Sequence, residues 1–170
     1  EPYQGLDLWI RSLQHVVGSH PEVAYLAVGG APKQIAVLEA LASSLGVRDH
    51  LILTGPRPSE EMWLYMRLAD ILVSPRSRGT NTPLKLYAYL RAGRPILATD
   101  LLTHTQVLDA SSAMLVAPTP EGLAQGTLRL LEDGALASKL AENGLRLAEA
   151  RYSYDVFVAK TAAVYAELGL

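Results

Sequence analysis

Residues 75–99 read PRSRGTNTPLKLYAYLRAGRPILAT, and the order of residue types in this stretch decides the predicted fold. It predicts a helix over residues 83–92, because Pro83 suits the first helical position, where a missing amide hydrogen costs nothing. The helix is predicted to end at Gly93, which adopts the left-handed conformation of a helix end without strain. A strand over residues 96–98 follows. Three side chains that cap helix N-termini precede the helix: Thr80, Asn81 and Thr82.

The same stretch is cationic. No acid occurs between Asp70 and Asp100, although the whole chain carries a net charge of −2. Free helical amides, hydroxyl groups and basic side chains together form an anion-binding arrangement. We therefore predict that the stretch binds phosphate groups, with the two arginines on the loop as better candidates than the arginine near the helix end. The basic residues are Arg76, Arg78, Lys85, Arg91 and Arg94.

Short apolar runs alternate with helical patterns over most of the chain. Strands are predicted over residues 23–28, 51–53, 71–73, 96–98 and 114–116. Helices are predicted over residues 5–17, 32–45, 58–69, 83–92 and 104–108. This alternation favours an α/β fold, a Rossmann-like doubly wound parallel sheet covered on both faces. Three further helices, over residues 120–131, 135–150 and 154–168, predict a helical tail (119–170) that packs on the single domain (1–170).

The chain enters its first helix directly, so only five strands are predicted. In a doubly wound sheet the first strand is normally central, and the loop that follows it lines the ligand crevice. Either residues preceding Glu1 supply the first strand, which is the interpretation we favour, or another segment of the chain supplies it.

Composition excludes several classes of protein. Of the 170 residues, 49% are hydrophobic and 19% are charged, as in globular rather than disordered chains. The absence of cysteine excludes disulfides, thiolate zinc sites and cysteine nucleophiles, and it fits a cytoplasmic location. The near-neutral charge argues against nucleic-acid binding. His15, His20 and His50 are scattered without metal-ligand spacing, so no metal site is predicted.

The order of the motifs VGG, LTG, LADILVSPR, GTNTPLKLYAYLRAGRPILATD, HTQVL and LLED resembles the C-terminal domain of retaining glycosyltransferases of family 4, which have the GT-B fold. The resemblance is most specific over residues 68–100. It implies the donor-binding half of an enzyme that transfers a sugar from a nucleoside-diphosphate sugar to an acceptor with retention, without metal or other cofactor. The acceptor, and any peripheral association with the inner face of a membrane, would belong to an absent N-terminal domain.

The resemblance also implies roles for individual residues. Thr80, Lys85 and Arg76 would stabilise the departing diphosphate as catalytic residues. The donor and its phosphates would contact Gly79, Thr80, Asn81, Thr82, Pro83, Leu84, Arg78, Gly29, Gly30 and Gln4. The base and ribose would contact Thr54, Gly55, Pro56, Arg57 and Ala88.

Three positions depart from the family pattern. The family carries two glutamates eight residues apart, where this chain has Thr80 and Ala88, and a lysine where it has Gln4. A catalytically degraded nucleotide-binding or regulatory module therefore stays open as an alternative, as does a GT-B-fold nucleotide-sugar epimerase. A nicotinamide-dependent enzyme is disfavoured, because Gly29 and Gly30 do not form a G-x-G-x-x-G pattern.

Three ring-bearing side chains have more than one interpretation. His104 falls on a loop that the resemblance directs at the donor, but a lone histidine is more often a polar surface or capping residue. Trp9 and Trp63 lie on predicted helices, so both are predicted to be core or interface residues.

Overall fold

Five parallel strands form two sheets in the computed structural model, which describes residues 1–169. The strands are β1 (Tyr25–Ala27), β2 (Leu51–Leu53), β3 (Leu72–Ser74), β4 (Ile96–Thr99) and β5 (Met114–Val116). β1 pairs with β2, and the second sheet has the order β3-β4-β5. Within residues 1–169, β1 and β3 each pair along one edge only. The predicted central strand therefore stays a prediction.

Eight α-helices surround these sheets in the described part of the chain. They are α1 (Leu6–Val16), α2 (Pro32–Ser44), α3 (Met62–Leu68), α4 (Lys85–Arg91), α5 (Leu102–Thr105), α6 (Pro120–Glu132), α7 (Gly134–Tyr152) and α8 (Tyr154–Glu167). Strands alternate with helices up to β5, and three successive helices follow. This order confirms the predicted α/β class.

The core joins the helices to strands that are buried on both faces. β4 is buried along its whole length, as its continuous apolar sequence predicts. α1 buries one apolar stripe against α6 and the first sheet, and its Trp9 stacks on Tyr25 with ring centroids 4.4 Å apart. Trp9 is thus a core residue as predicted. Trp63 is not, because 53% of its surface is exposed.

Helix α4 begins later than the sequence predicts. Its first residue is Lys85 rather than Pro83, its N-cap is Leu84, and no side chain caps it. The predicted capping residue Asn81 is occupied elsewhere, since its side-chain Oδ1 accepts from Arg76 and its backbone carbonyl accepts from Arg76 and Thr103. These bonds fix Asn81 outside the helix, which begins at Lys85. The predicted end is correct: Gly93 has a φ of 67° and follows the last helical turn.

Helix α5 is also displaced from its prediction. It spans Leu102–Thr105, whereas the sequence predicted residues 104–108. Residues Val107 and Leu108 form turns whose amides donate to the carbonyl of His104. None of the helices over residues 1–169 has the length and apolar character needed to cross a bilayer.

Candidate functional site

The segment between β3 and α4, residues 75–84, presents a run of free backbone amides and is called the β3–α4 loop. Within residues 1–169, the amides of residues 79–82, 84 and 85 donate to no protein acceptor. Gly79 has a φ of 128°, a conformation that favours glycine. The side chains from Arg78 to Asn81 are exposed. Consecutive unpartnered amides beside cationic side chains are suited to binding an anion.

Arg76 lies inside this loop and holds it together. Only 9% of its surface is exposed. Its Nη1 donates to the carbonyl oxygen of Asn81 (3.0 Å), to Asn81 Oδ1 (3.2 Å) and to Thr103 Oγ1 (3.0 Å). Its guanidinium carbon lies 5.2 Å from the centroid of the Tyr3 ring. The sequence ranked Arg76 among the better phosphate ligands, but in this conformation the Nη1 group is directed at the protein.

Arg78, on the loop, and Lys85, the first residue of α4, are the exposed cations of the site. Desolvation by surrounding protein, together with repulsion from Arg76, lowers the pKa of Lys85 to about 8. Part of the lysine side chain nevertheless stays in contact with solvent, and its Nζ lies 5.6 Å from the centroid of the Tyr89 ring. Arg78 makes no hydrogen bond or ion pair within residues 1–169. Both cations are therefore free to meet an anion.

His104 is buried beneath the loop, neither exposed nor a cap. Its Nδ1 lies 2.7 Å from the carbonyl oxygen of Thr99, which can only accept, so Nδ1 carries the proton. Its Nε2 then accepts from Ser74 Oγ at 2.9 Å in the neutral ring. Desolvation lowers the pKa of His104, and the charges of Lys85 and Arg76 lower it further, against the opposing hydrogen bond to Thr99. His104 thus joins the ends of β3 and β4 as an uncharged side chain.

The buried neutral His104 predicts a loss of stability in mild acid. A histidine whose folded pKa is depressed binds fewer protons in the native state than in the unfolded chain, so the free energy of unfolding falls as pH drops below about 6.5. We expect this decline in urea denaturation between pH 7 and pH 5. In His104→Gln the slope should be smaller, whereas His15→Gln, at an exposed position of α1, should keep the parent slope. An unchanged slope in His104→Gln would contradict the assignment.

The N-terminal residues are brought against the same loop. Gln4 ends a 3₁₀ turn, Pro2–Gln4, and its side chain is exposed. The amide of Ser77 donates to the carbonyl oxygen of Tyr3 at 3.0 Å. The structure therefore places the segment that carries Gln4 beside the β3–α4 loop.

The glycines after β1 and the turn after β2 form a second group. The amide of Gly29 donates to the carbonyl oxygen of Gly55 at 3.0 Å and lies 3.4 Å from Thr54 Oγ1. Gly29 and Gly30 both have positive φ angles, 104° and 94°. Pro56 and Arg57 follow as exposed residues. Within residues 1–169, no hydrogen bond joins this group to the β3–α4 loop.

A sequence model of the family described as Glycosyl transferases group 1 matches residues 1–133. The chain belongs to this family. It is 26% identical over 170 residues to an alpha-D-kanosaminyltransferase of Streptomyces kanamyceticus, and the match covers 98% of this chain and 43% of the relative. The chain thus spans less than half the length of this relative.

Solved structures confirm the fold of this group 1 chain. The structure of Anabaena Alr3699/HepE in complex with UDP superposes with a TM-score of 0.85 at 18% identity, covering 100% of this chain and 46% of that one. The C-terminal domain of a group 1 family protein, LpcC, from Francisella tularensis superposes with a TM-score of 0.79 at 20% identity, covering 91% of this chain and 82% of that one. The group 1 chain therefore has the Rossmann-like fold of a GT-B C-terminal domain.

Ala88 of the group 1 chain lies apart from the free amides. It is exposed on α4 and lines a cavity of about 640 Å³ between α3 and α4, together with Trp63 and Arg91. Its methyl group offers no hydrogen-bond acceptor. At the predicted ribose position the structure therefore has no side chain that can accept a hydrogen bond.

Sequence reasoning missed the hydroxyl groups that organise the site. Thr99 Oγ1 donates to the carbonyl oxygen of Arg76 at 2.7 Å, and Thr103 Oγ1 donates to the carbonyl oxygen of Asn81 at 2.6 Å. Gln106 Nε2 donates to the carbonyl oxygen of Thr80 at 2.5 Å. A hydroxyl residue at the carboxyl end of the buried β4 strand was the available signal, because buried hydroxyl groups need partners. No group of three or more His, Cys, Asp or Glu suited to a metal occurs within residues 1–169.

Proposed function

We propose that this chain is the donor-binding half of a glycosyltransferase that transfers a sugar from a nucleoside-diphosphate sugar to an acceptor. The observation that carries the proposal is the run of unpartnered amides at residues 79–82, 84 and 85 beside the free cations Arg78 and Lys85. The diphosphate is the part of a nucleoside-diphosphate sugar that binds several hydrogen-bond donors and positive charges together. That HepE has been crystallised with UDP supports this choice of ligand.

The chemistry proposed for the site is electrostatic. When the bond between sugar and diphosphate breaks, negative charge grows on the leaving phosphate oxygens, and fixed donors stabilise it without having to reorganise. Lys85, Arg78 and the loop amides would supply those donors, while Arg76 holds the loop in shape. Retention of configuration, family 4 membership and independence from metal are further parts of the proposal.

The second group of residues would hold the nucleoside. We place the base beside Thr54, Gly55, Pro56 and Arg57, and the donor close to the backbone at Gly29 and Gly30. Support comes from the two glycines, which have no side chain between their backbone and a ligand and whose positive φ angles favour glycine. The acceptor would bind to the part of a longer protein that this chain does not contain, and we place the whole enzyme in the cytoplasm.

A second candidate is a nucleotide-binding module that lacks turnover. It is favoured by the exposed methyl group of Ala88 where the family pattern has a carboxylate. Such a module would bind nucleotide without transferring sugar when joined to its acceptor-binding half. An increase in transfer by Ala88→Glu in the longer protein would identify an active site weakened at this position.

Titration with UDP, GDP and ADP tests the donor site and its pH dependence. At pH 7 we expect Lys85→Met to lower the affinity for the tightest-binding of these nucleotides by roughly tenfold to a hundredfold, the scale of a charged hydrogen bond. Because Lys85 loses its proton above a pKa of about 8, parent affinity should fall by roughly tenfold between pH 7 and pH 9. The variant should lack this fall. Isothermal titration calorimetry measures both.

Lys139→Met is the matched control, since Lys139 is an exposed lysine on α7 and should leave the affinity unchanged. If none of the three nucleotides binds at millimolar concentration, the donor-site proposal is wrong. Equal nucleotide affinity in the parent and in Lys85→Met would show that Lys85 does not contact the nucleotide. The donor-site proposal would then rest on the amides of the loop.

A further inference from the structure

The outward side of α3 and the adjoining end of α4 form a surface that combines apolar and cationic side chains, called here the α3–α4 face. Trp63, Leu64 and Leu68 are 53%, 50% and 71% exposed. They lie with Arg67 on one side of α3, at helical spacings of one, four and five residues. Arg91 and Arg94 border them from the end of α4 and the turn after it.

These apolar side chains are not the buried stripe of α3. The opposite side of the helix carries Met62 and Tyr65, which are partly buried against the domain, while Met66 lines the cavity together with Trp63. A surface helix normally has one apolar stripe and a polar outer face. α3 is apolar on both sides, so its outer side chains are available to something beyond the described chain.

The cavity in the α3–α4 face is lined by positive charge. The cavity of about 640 Å³ between the helices is lined by three arginines, Arg67, Arg91 and Arg94, and by no carboxylate. Arg67 lies 5.9 Å from the centroid of the Trp63 ring, and Arg94 Nη2 donates to the carbonyl oxygen of Arg67 at 2.7 Å. None of the three pairs with an acid within residues 1–169. Asp70 lines a neighbouring cavity with Arg94.

An anionic bilayer surface matches both properties of the face. Phosphate groups pair with arginine through two parallel hydrogen bonds, and anionic leaflets attract basic clusters. Tryptophan and leucine gain from burial at the boundary between headgroups and acyl chains. An acidic protein segment would satisfy the arginines but would have to supply a separate apolar surface for Trp63, Leu64 and Leu68.

We propose that the α3–α4 face docks this domain on membranes that contain anionic phospholipids, with Arg67, Arg91 and Arg94 on the headgroup phosphates and Trp63, Leu64 and Leu68 in the interface. This inference does not rest on the phosphate-binding proposal, because none of these residues belongs to the β3–α4 loop, although Ala88, the predicted ribose position, lines the same cavity.

Tryptophan fluorescence tests the inference directly, since Trp63 is exposed and Trp9, the only other tryptophan, is buried. Vesicles of phosphatidylglycerol and phosphatidylcholine should shift the emission to shorter wavelength and sediment with the protein. Pure phosphatidylcholine vesicles should do neither. Arg67→Gln with Arg91→Gln should weaken binding by roughly 30-fold, the effect of removing two charges near an anionic surface. Leu68→Ser should also weaken binding.

Arg11→Gln, at an exposed arginine of α1, is the control and should bind like the parent. Circular dichroism and urea denaturation check that each variant folds. Absence of binding to the anionic vesicles overturns the inference, and so does equal binding to both kinds of vesicle. A blue shift of Trp63 with polyglutamate that blocks vesicle binding would assign the face to an acidic protein segment and would also overturn it.

Discussion

Gly5→Ala is expected to lower the free energy of unfolding by about 3 kcal/mol, a loss typical of severe steric substitutions. Gly5 has a φ of 69°, and a Cβ atom built on it would lie 1.8 Å from the carbonyl oxygen of Pro75. That contact is with backbone, so no rotamer change can relieve it. Either the β3–α4 loop or the N-terminal turn must move, and with it the hydrogen bond between Ser77 and Tyr3. Urea denaturation followed by circular dichroism measures the loss.

Gly46→Ala separates this clash from backbone strain. Gly46 has a φ of 70°, nearly that of Gly5, but a Cβ atom there would meet nothing within 4 Å. We expect the control to lose only about 1 kcal/mol, the cost of the left-handed conformation for alanine. Equal losses in the two variants would show that Gly5 is not held tightly against Pro75. The difference between them measures how firmly the N-terminal segment supports the loop.

Arg76→Met is expected to lose both stability and nucleotide affinity. The variant removes three hydrogen bonds of a mostly buried cation and leaves Asn81 Oδ1 without its partner. A loss of about 3 kcal/mol in the free energy of unfolding is the scale for losing hydrogen bonds from a charged donor and leaving their acceptors unpaired. Because the loop amides then lose their fixed spacing, we expect UDP, GDP or ADP to bind at least roughly tenfold more weakly. Denaturation and calorimetry provide the two measurements.

Thr103→Val shows whether Arg76 acts by positioning the loop or by touching phosphate. Thr103 is fully buried, and its Oγ1 both accepts from Arg76 and donates to the carbonyl oxygen of Asn81. The variant keeps the charge of Arg76 and nearly the volume of the threonine. Weaker nucleotide binding in Thr103→Val supports positioning. Parent affinity in Thr103→Val, combined with loss in Arg76→Met, would support direct contact.

The architecture could be predicted from local patterns. β2 and β5 have the bounds that their apolar runs predict, and the helices α6 to α8 follow Pro118 as their spacing indicates. Such patterns are readable because each depends on residues within a few positions of one another. The same holds for Gly93, whose left-handed conformation ends α4 through the local backbone alone. The motifs of residues 68–100 also predicted a glycosyltransferase, and residues 1–133 match the family described as Glycosyl transferases group 1.

The candidate site was predicted less completely, because its partners lie far apart in the sequence. The start of α4 was wrong by two residues, since Arg76 and Thr103 take the acceptors of Asn81 across separations of five and 22 residues. His104 has bonds to Ser74 and Thr99, which no spacing rule connects. The sequence also did not predict the outward apolar side of α3, because the inward-facing residues alone account for the helical pattern.

The sequence by itself determined the order of strands and helices, the cationic loop and the family, because these depend on local residue types and their spacing. Only the tertiary structure decided which cations are free. It buries Arg76 against Asn81 and Thr103 while leaving Arg78 and Lys85 at the surface. The physical reason is that burial and hydrogen-bond partners arise from segments brought together in space, and a charge changes its role once such partners surround it.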